Sequence, residues 1–259
     1  MFYAIARKKI DLAGFKIVHV VENIESLNQR ALRGELESSA ISVHAYAYVA
    51  DQYAIMRSGA SIGEKYGPII VSRKPLSPKD LSGKTIAIPG ALTTANLVLK
   101  LCVEKFSYVL VPFDKILDYV GLGKTDAGLV IHEGLITYEQ HGLHKVIDLG
   151  EWWWEKTHLP LPLGIDAVRK DLGEKTMQAF SKVFHESVLY SLEHREEALD
   201  YAAPFGRGLS REAEDRFVRM YVNNYTRELG KRGKDSIREL LARSFAHKLL
   251  PKKIIPEFV

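Results

Sequence analysis

Cysteine is nearly absent from this chain, with one residue, Cys102, in 259. A single thiol excludes an intramolecular disulfide and fits a reducing compartment. Long apolar runs are missing too, since none approaches the roughly 20 residues needed to span a bilayer. Arg7, Lys8 and Lys9 follow the first apolar residues instead of preceding a long apolar block, so no signal peptide is read and a cytoplasmic protein is expected. Charge of one sign is not in excess either: 36 Lys and Arg against 32 Asp and Glu leave a formal net charge of +4. The basic residues are scattered among acids, which argues against a nucleic-acid or membrane-surface partner. Internal repeats and low-complexity tracts are not found. The glycines at 59, 63 and 67 lack the trailing Gly-Lys-Ser/Thr of a phosphate loop and open no helix in a dinucleotide pattern. His141 and His144 have no neighbouring Cys and no His-Glu-x-x-His pattern, so no metal site is read there.

What is present is an ordinary globular composition, 46% hydrophobic and 26% charged, over a length that suits one large or two modest domains. Met1 to Lys9 reads as a short helix, Phe15 to Glu22 as a strand, and Ile24 to Arg33 as a helix stopped by Gly34. This alternation is the signature of an α/β protein with a mostly parallel sheet. Gly59 to Pro68 reads as a loop, Pro68 to Ser72 as a strand and Pro75 to Ser82 as a connector. Strands are predicted at Thr85–Ile88, Tyr108–Val111 and Ala127–Ile131, with helices at Thr94–Phe106 and Asp114–Val120 between them. Cys102 falls on the apolar face of the first of these helices with Leu97, Val98 and Leu101, as a small buried hydrophobe would. Leu159 to Gly164, Leu-Pro-Leu-Pro-Leu-Gly, cannot be helical and reads as an extended crossover. From Leu172 onward apolar residues recur at helical spacing: Met177, Phe180, Val183, Phe184 and Val188, then Phe217, Val218, Tyr221, Val222 and Tyr225, then Ile237, Leu240, Leu241 and Phe245. Asp235 is the expected N-cap of the last helix. The order implies two α/β lobes, the second inserted into the first, with a ligand crevice between them.

The run Leu129-Val-Ile-His-Glu133 carries the clearest chemical signal. A buried strand ends in a histidine, and in open α/β sheets the carboxyl ends of strands line the ligand crevice. A histidine there can exchange a proton near neutral pH, or it can simply be satisfied at a domain interface. Glu133 would point to the opposite face of an extended chain, so the two are not read as a pair. Thr93 and Thr94 follow Pro89-Gly90 and precede a helix. Their hydroxyls suit either ordinary capping or, with the free N–H groups of the helix start, a carboxylate ligand. Ser42 occupies the matching place before a helix at Val43 to Val49, with the same two readings. Of Trp152, Trp153 and Trp154, at least one should anchor the crossover, because three in a row cannot all face one pocket.

Several segments together resemble the 1,4-dihydroxy-6-naphthoate synthase family of the futalosine route to menaquinone. They are Met1-Phe-Tyr-Ala-Ile-Ala, Val21-Glu-Asn-Ile-Glu-Ser-Leu-Asn28, Ser58-Gly-Ala-Ser-Ile-Gly and Gly67-Pro-Ile-Ile-Val-Ser72, followed by Ile86-Ala-Ile-Pro-Gly-Ala-Leu-Thr-Thr-Ala95. Asp126-Ala-Gly-Leu-Val-Ile-His-Glu133, Asp148-Leu-Gly-Glu-Trp-Trp153, Leu159-Pro-Leu-Pro-Leu-Gly164 and Tyr221-Val-Asn223 complete the set. The resemblance implies a two-lobed, periplasmic-binding-protein-like (type II) α/β fold with a helical C-terminal region. Lobe 1 is then expected at 1–72 and 166–259 and lobe 2 at 73–165. It also implies a lyase that converts cyclic dehypoxanthinyl futalosine, a small-molecule carboxylate, to the bicyclic naphthoate. By the same resemblance His132 matches the proton acceptor, and Ser42 and the Thr93-Thr94-Ala95 region match the substrate contacts. No metal or organic cofactor is implied.

Members of that family usually open with a further strand and polar loop ahead of the segment matching Met1-Phe-Tyr, so a start upstream of Met1 is expected. Two other functions fit parts of the pattern. Chorismate dehydratase acts on a cyclic carboxylate in the same pathway, and the Ile-His-Glu and Gly-Glu-Trp-Trp segments argue for the naphthoate synthase over it. A non-catalytic carboxylate receptor would share the lobes and Thr94 but would need export.

Overall fold

A short helix α1 (Tyr3–Ala6) opens the computed structural model, which describes residues 1–205 and 210–259 without the side chains of Ala213, Glu214 and Phe217. Residues 15–22, expected as a strand, run on without pairing to any strand among the described residues, and Val18, Val20 and Val21 stay exposed. Phe15 and Ile17 pack half-buried against the Val183 and Phe184 cluster, but no strand lies alongside the segment to fix a register. Helix α2 (Ile24–Leu32) starts where Asn23 accepts the N–H of Ser26 at 2.9 Å.

Strand β1 (Ser38–Ser42) then feeds α3 (Val43–Val49), followed by β2 (Tyr53–Ile55) and β3 (Ser61–Gly63). Strand β3 falls inside the segment that the glycine spacing marks as loop. A shift in its register against a later strand, between Ser61 and Ile62, explains why no clean alternation marks it. Next come β4 (Ile69–Ser72), β5 (Thr85–Ile88), α4 (Thr94–Cys102), β6 (Ser107–Leu110), α5 (Ile116–Gly121) and β7 (Ala127–Val130). Helix α6 (Gly134–Thr137), β8 (His144–Asp148), α7 (Leu149–Thr157) and β9 (Leu161–Arg169) follow. The remainder is helical: α8 (Glu174–Glu193), α9 (Arg195–Ala202), α10 (Arg211–Tyr221), α11 (Asn224–Arg227) and α12 (Gly230–Ala246). No helix among the described residues is long and apolar enough to cross a membrane.

Two sheets result. In the first, β1, β2 and β3 all run antiparallel to β9, with Ser42 opposite Gly164 and Ser61 opposite the same Gly164 from the other side. The second has the order β6-β5-β7-β4-β8. There β5 is parallel to β6 and β7, while β4 is antiparallel to β7 and β8. The expectation of a mostly parallel sheet therefore fails for the first sheet, because the crossover strand β9 returns against all three of its neighbours. Sheet membership changes before Ile69 and again before Leu161, so β4 belongs with the second sheet and the start of β9 with the first.

Trp153 is fully buried and its indole N–H donates to the Pro160 carbonyl at 3.1 Å, which anchors the crossover as expected. Cys102 lies at the C-terminal end of α4, half-buried, and burial pushes its thiol up to about 11. Helix α12 buries Ile237, Leu240 and Leu241 but leaves Phe245 exposed. Asp235 does not cap it. The Leu229 N–H donates to the Arg57 carbonyl at 2.8 Å and α12 begins at Gly230, so a tertiary bond sets the start. Asp235 instead pairs with Lys231 at 2.6 Å and Arg238 at 3.0 Å. The side chain of Phe217, expected on an apolar helix face, lies outside the described set.

Candidate active site

The register of the second sheet decides which residues share an edge. Strands β5, β7 and β8 run the same way, so their carboxyl ends lie together beside the start of β4. That edge is where ligands bind in open α/β sheets. His132 stands there, two residues beyond β7. Its backbone turns sharply, with a φ of +56°, a region uncommon for side-chain-bearing residues although histidine is enriched in it. Its carbonyl accepts the Leu135 N–H at 3.1 Å as the chain enters α6. Gly134 makes this turn feasible, since a Cβ there would come 2.4 Å from Cγ1 of Val130. The turn corrects the extended geometry expected for His132 and Glu133, because Glu133 already has helical dihedrals. The imidazole is half-buried and meets Phe113 edge-on at 5.0 Å. Backbone held in such a sparse region is concentrated at functional sites.

At the end of β5, Thr93 is the N-cap of α4. Its hydroxyl accepts the Asn96 N–H at 3.2 Å and donates to the Gly90 carbonyl at 2.9 Å. The Thr94 hydroxyl donates to the Leu163 carbonyl of β9 at 2.6 Å and accepts the His44 N–H at 3.3 Å. Ala95, the next residue of α4, is buried. Ser42 precedes α3 as expected, yet its side chain makes no capping bond. Its hydroxyl accepts from Asn28 at 3.1 Å, and its N–H donates to the Asn28 side-chain oxygen at 2.8 Å. The structure thus brings Ser42, Thr93 and Thr94 to one junction between the sheets, linked through His44, Leu163 and Gly164. All three hydroxyls are engaged by bonds within the chain, as capping and tertiary packing require. Two surface hollows, of about 490 Å³ beside Tyr66 and Arg219 and about 700 Å³ beside Cys102 and Trp152, are not lined by His132 or by these hydroxyls.

Four further residues belong to this region and were not singled out from the sequence. The His44 ring is buried with Nδ1 at 3.2 Å from the Thr93 carbonyl, and burial holds its pKa down to about 4. Asn28 is fully buried against Ser42, and Glu25 reaches the Leu92 N–H. Asp148 ends β8 on the far side of β4 from His132. It accepts the N–H groups of Gly150 at 2.7 Å and Glu151 at 3.2 Å, and burial raises its carboxyl to about 6. The Asp148-Leu-Gly-Glu151 spacing is a helix-start signal that could have exposed it. His141 lies 3.8 Å from Asp118, and no group of three or more potential metal ligands occurs among the described residues.

The model of a family described as menaquinone biosynthesis matches residues 1–246. This chain belongs to that family. It is 40% identical over 259 residues to the 1,4-dihydroxy-6-naphthoate synthase of Thermus thermophilus, covering 100% of this chain and 94% of that protein. A crystal structure of an Archaeoglobus fulgidus protein superposes with a TM-score of 0.91 at 45% identity, covering 96% of this chain and 92% of that one. The periplasmic aliphatic sulphonate binding protein of Escherichia coli superposes with a TM-score of 0.64 at 13% identity, over 97% of this chain and 85% of that one. At that identity the likeness speaks for fold alone, and the fold is that of the periplasmic binding proteins. The menaquinone family member is an enzyme built on that fold.

Proposed function

We propose that the chain converts cyclic dehypoxanthinyl futalosine to 1,4-dihydroxy-6-naphthoate, with His132 as general base, between two lobes cored by the two sheets. The observation that supports this most is the left-handed turn that presents the His132 imidazole at the edge shared with the start of α4. A neutral imidazole there accepts a proton made acidic by a neighbouring substrate carbonyl. Loss of that proton lets the ribose-derived fragment leave and the ring aromatise. General-base catalysis of this kind contributes about 10²–10⁴-fold, and exclusion of water between the lobes contributes further.

The substrate carboxylate is assigned to the start of α4, where the helix dipole favours an anion. The Thr94 hydroxyl already donates to Leu163, so a bound carboxylate competes with that carbonyl for the same proton. Binding therefore loosens one bond between the sheets and replaces it with a bond through the ligand. Ser42 and Ala95 complete the pocket wall, and the reaction takes place in the cytoplasm.

Purified protein incubated with cyclic dehypoxanthinyl futalosine, and separately with chorismate, tests the reading. Chromatography is expected to detect the naphthoate from the first and no change in the second. Turnover of chorismate alone assigns the dehydratase reaction instead. Tight binding of either compound without turnover assigns a receptor.

A further inference from the structure

Glu25 lies in the first turn of α2, beside the first sheet, yet its carboxylate reaches the turn that follows β5 of the second sheet. The Leu92 N–H is shared between its two oxygens at 3.4 and 3.3 Å. Gly90 provides the seat: a Cβ there would stand 2.3 Å from Oε2 and 2.6 Å from Cδ of Glu25. No lysine or arginine among the described residues forms an ion pair with this carboxylate, so its partners are the turn and neutral amides. Gln29 approaches it at 3.3 Å, and Asn28 at 3.5 Å. Asn28 is the same buried residue that holds both the hydroxyl and the N–H of Ser42.

The geometry points to Glu25 as a positioning residue that registers the two halves of the site. Through Asn28 it acts on Ser42, and through the Gly90–Leu92 turn it acts on Thr93 and Thr94, whose helix starts immediately after. The inference rests on the lyase reading for what is positioned, namely the groups that meet the substrate carboxylate. A negative charge does not bind that carboxylate itself; Glu25 sets the spacing of the groups that do. The role needs an acceptor oxygen and does not need the charge.

The test uses Glu25→Ala, Glu25→Gln, Gly90→Ala and the Glu25→Ala/Gly90→Ala double variant of the full chain, assayed for KM, kcat and small-angle scattering without substrate. Loss of one hydrogen bond sets the scale. Glu25→Ala is expected to raise KM about tenfold with kcat little changed, and to increase the radius of gyration of the free protein. Glu25→Gln keeps an oxygen for Leu92 and is expected to match the unaltered protein. Gly90→Ala evicts the carboxylate and is expected to reproduce Glu25→Ala, and in the double variant it should add nothing, because both changes remove one contact. An unchanged KM in Glu25→Ala, a Glu25→Gln as impaired as Glu25→Ala, or additive effects in the double variant would overturn the assignment. If the unaltered protein does not turn over the naphthoate precursor, the lyase reading fails while the scattering series still decides the role of Glu25. There an unexpanded Glu25→Ala counts against it.

Discussion

Two histidines stand at equivalent distances beyond buried strands, His44 two residues past β1 and His132 two residues past β7, and the chain treats them oppositely. His44 enters a helix directly. Its ring is buried at 4% exposure against the Thr93 carbonyl, and its pKa is held to about 4, so it stays neutral and serves the junction. His132 enters a left-handed turn, and its ring stays half-buried at the sheet edge, edge-on to Phe113. Sequence position relative to a strand does not separate a histidine buried at the junction from one held at the sheet edge. The backbone turn does, because it decides whether the ring enters the junction between the sheets or stays half-buried at the edge.

The largest effect that would sharpen this contrast is on turnover. His132→Ala is expected to lower kcat about 10²–10⁴-fold while leaving the melting temperature nearly unchanged. Kinetics and thermal unfolding of the same preparation check both halves of the statement.

His44 carries the converse expectation. Its folded-state pKa of about 4 lies below the ordinary 6.5, so its contribution to stability is fully present above pH 6.5 and is lost as the pH falls towards 4. The shift corresponds to about 3 kcal/mol. His44→Leu should therefore remove about that much of the acid-side loss, read by urea unfolding at pH 7 and pH 4.5. An unchanged acid-side loss would return His44 to solvent.

The smallest effect concerns Asp148, where the sign reverses. Its carboxyl is raised to about 6 from the ordinary 3.8, so the charge costs stability above pH 6 and that cost is relieved as the pH falls towards 3.8. Asn retains the capping oxygen. Asp148→Asn is thus expected to stabilise the protein by at most about 3 kcal/mol at pH 8, less whatever the weaker neutral cap gives back, with the gain fading towards pH 4. A destabilised Asp148→Asn at pH 8 would mean that the ionised carboxylate, rather than its capping bonds, holds the edge together.

Much of this was legible in the residues. The strand-turn-Thr-Thr-helix pattern at 85–102 and the strand that delivers His132 follow from periodicity, since each element buries a continuous apolar face. The antiparallel first sheet was not legible, because β2 and β3 are three residues each and take their direction from β9, about a hundred positions later. The strand expected at 15–22 failed for the complementary reason: Phe15 and Ile17 found a surface to pack on, but the backbone met no strand to pair with. Residue type pointed to Ser42, Thr93, Thr94 and His132 as candidates, and the structure gathers the first three at one junction. Glu25 and Asn28 escaped notice because polar residues in an amphipathic helix look solvated until tertiary structure turns them inward.

Chemical rescue tests the central claim most directly. His132→Ala assayed with cyclic dehypoxanthinyl futalosine should regain turnover as imidazole is added, with a rate that rises with the concentration of the neutral base. His44→Leu should gain nothing from the same addition. Naphthoate formation by His132→Ala at the rate of the unaltered protein, or a variant that imidazole fails to restore at any concentration, would contradict a proton acceptor at the tip of β7.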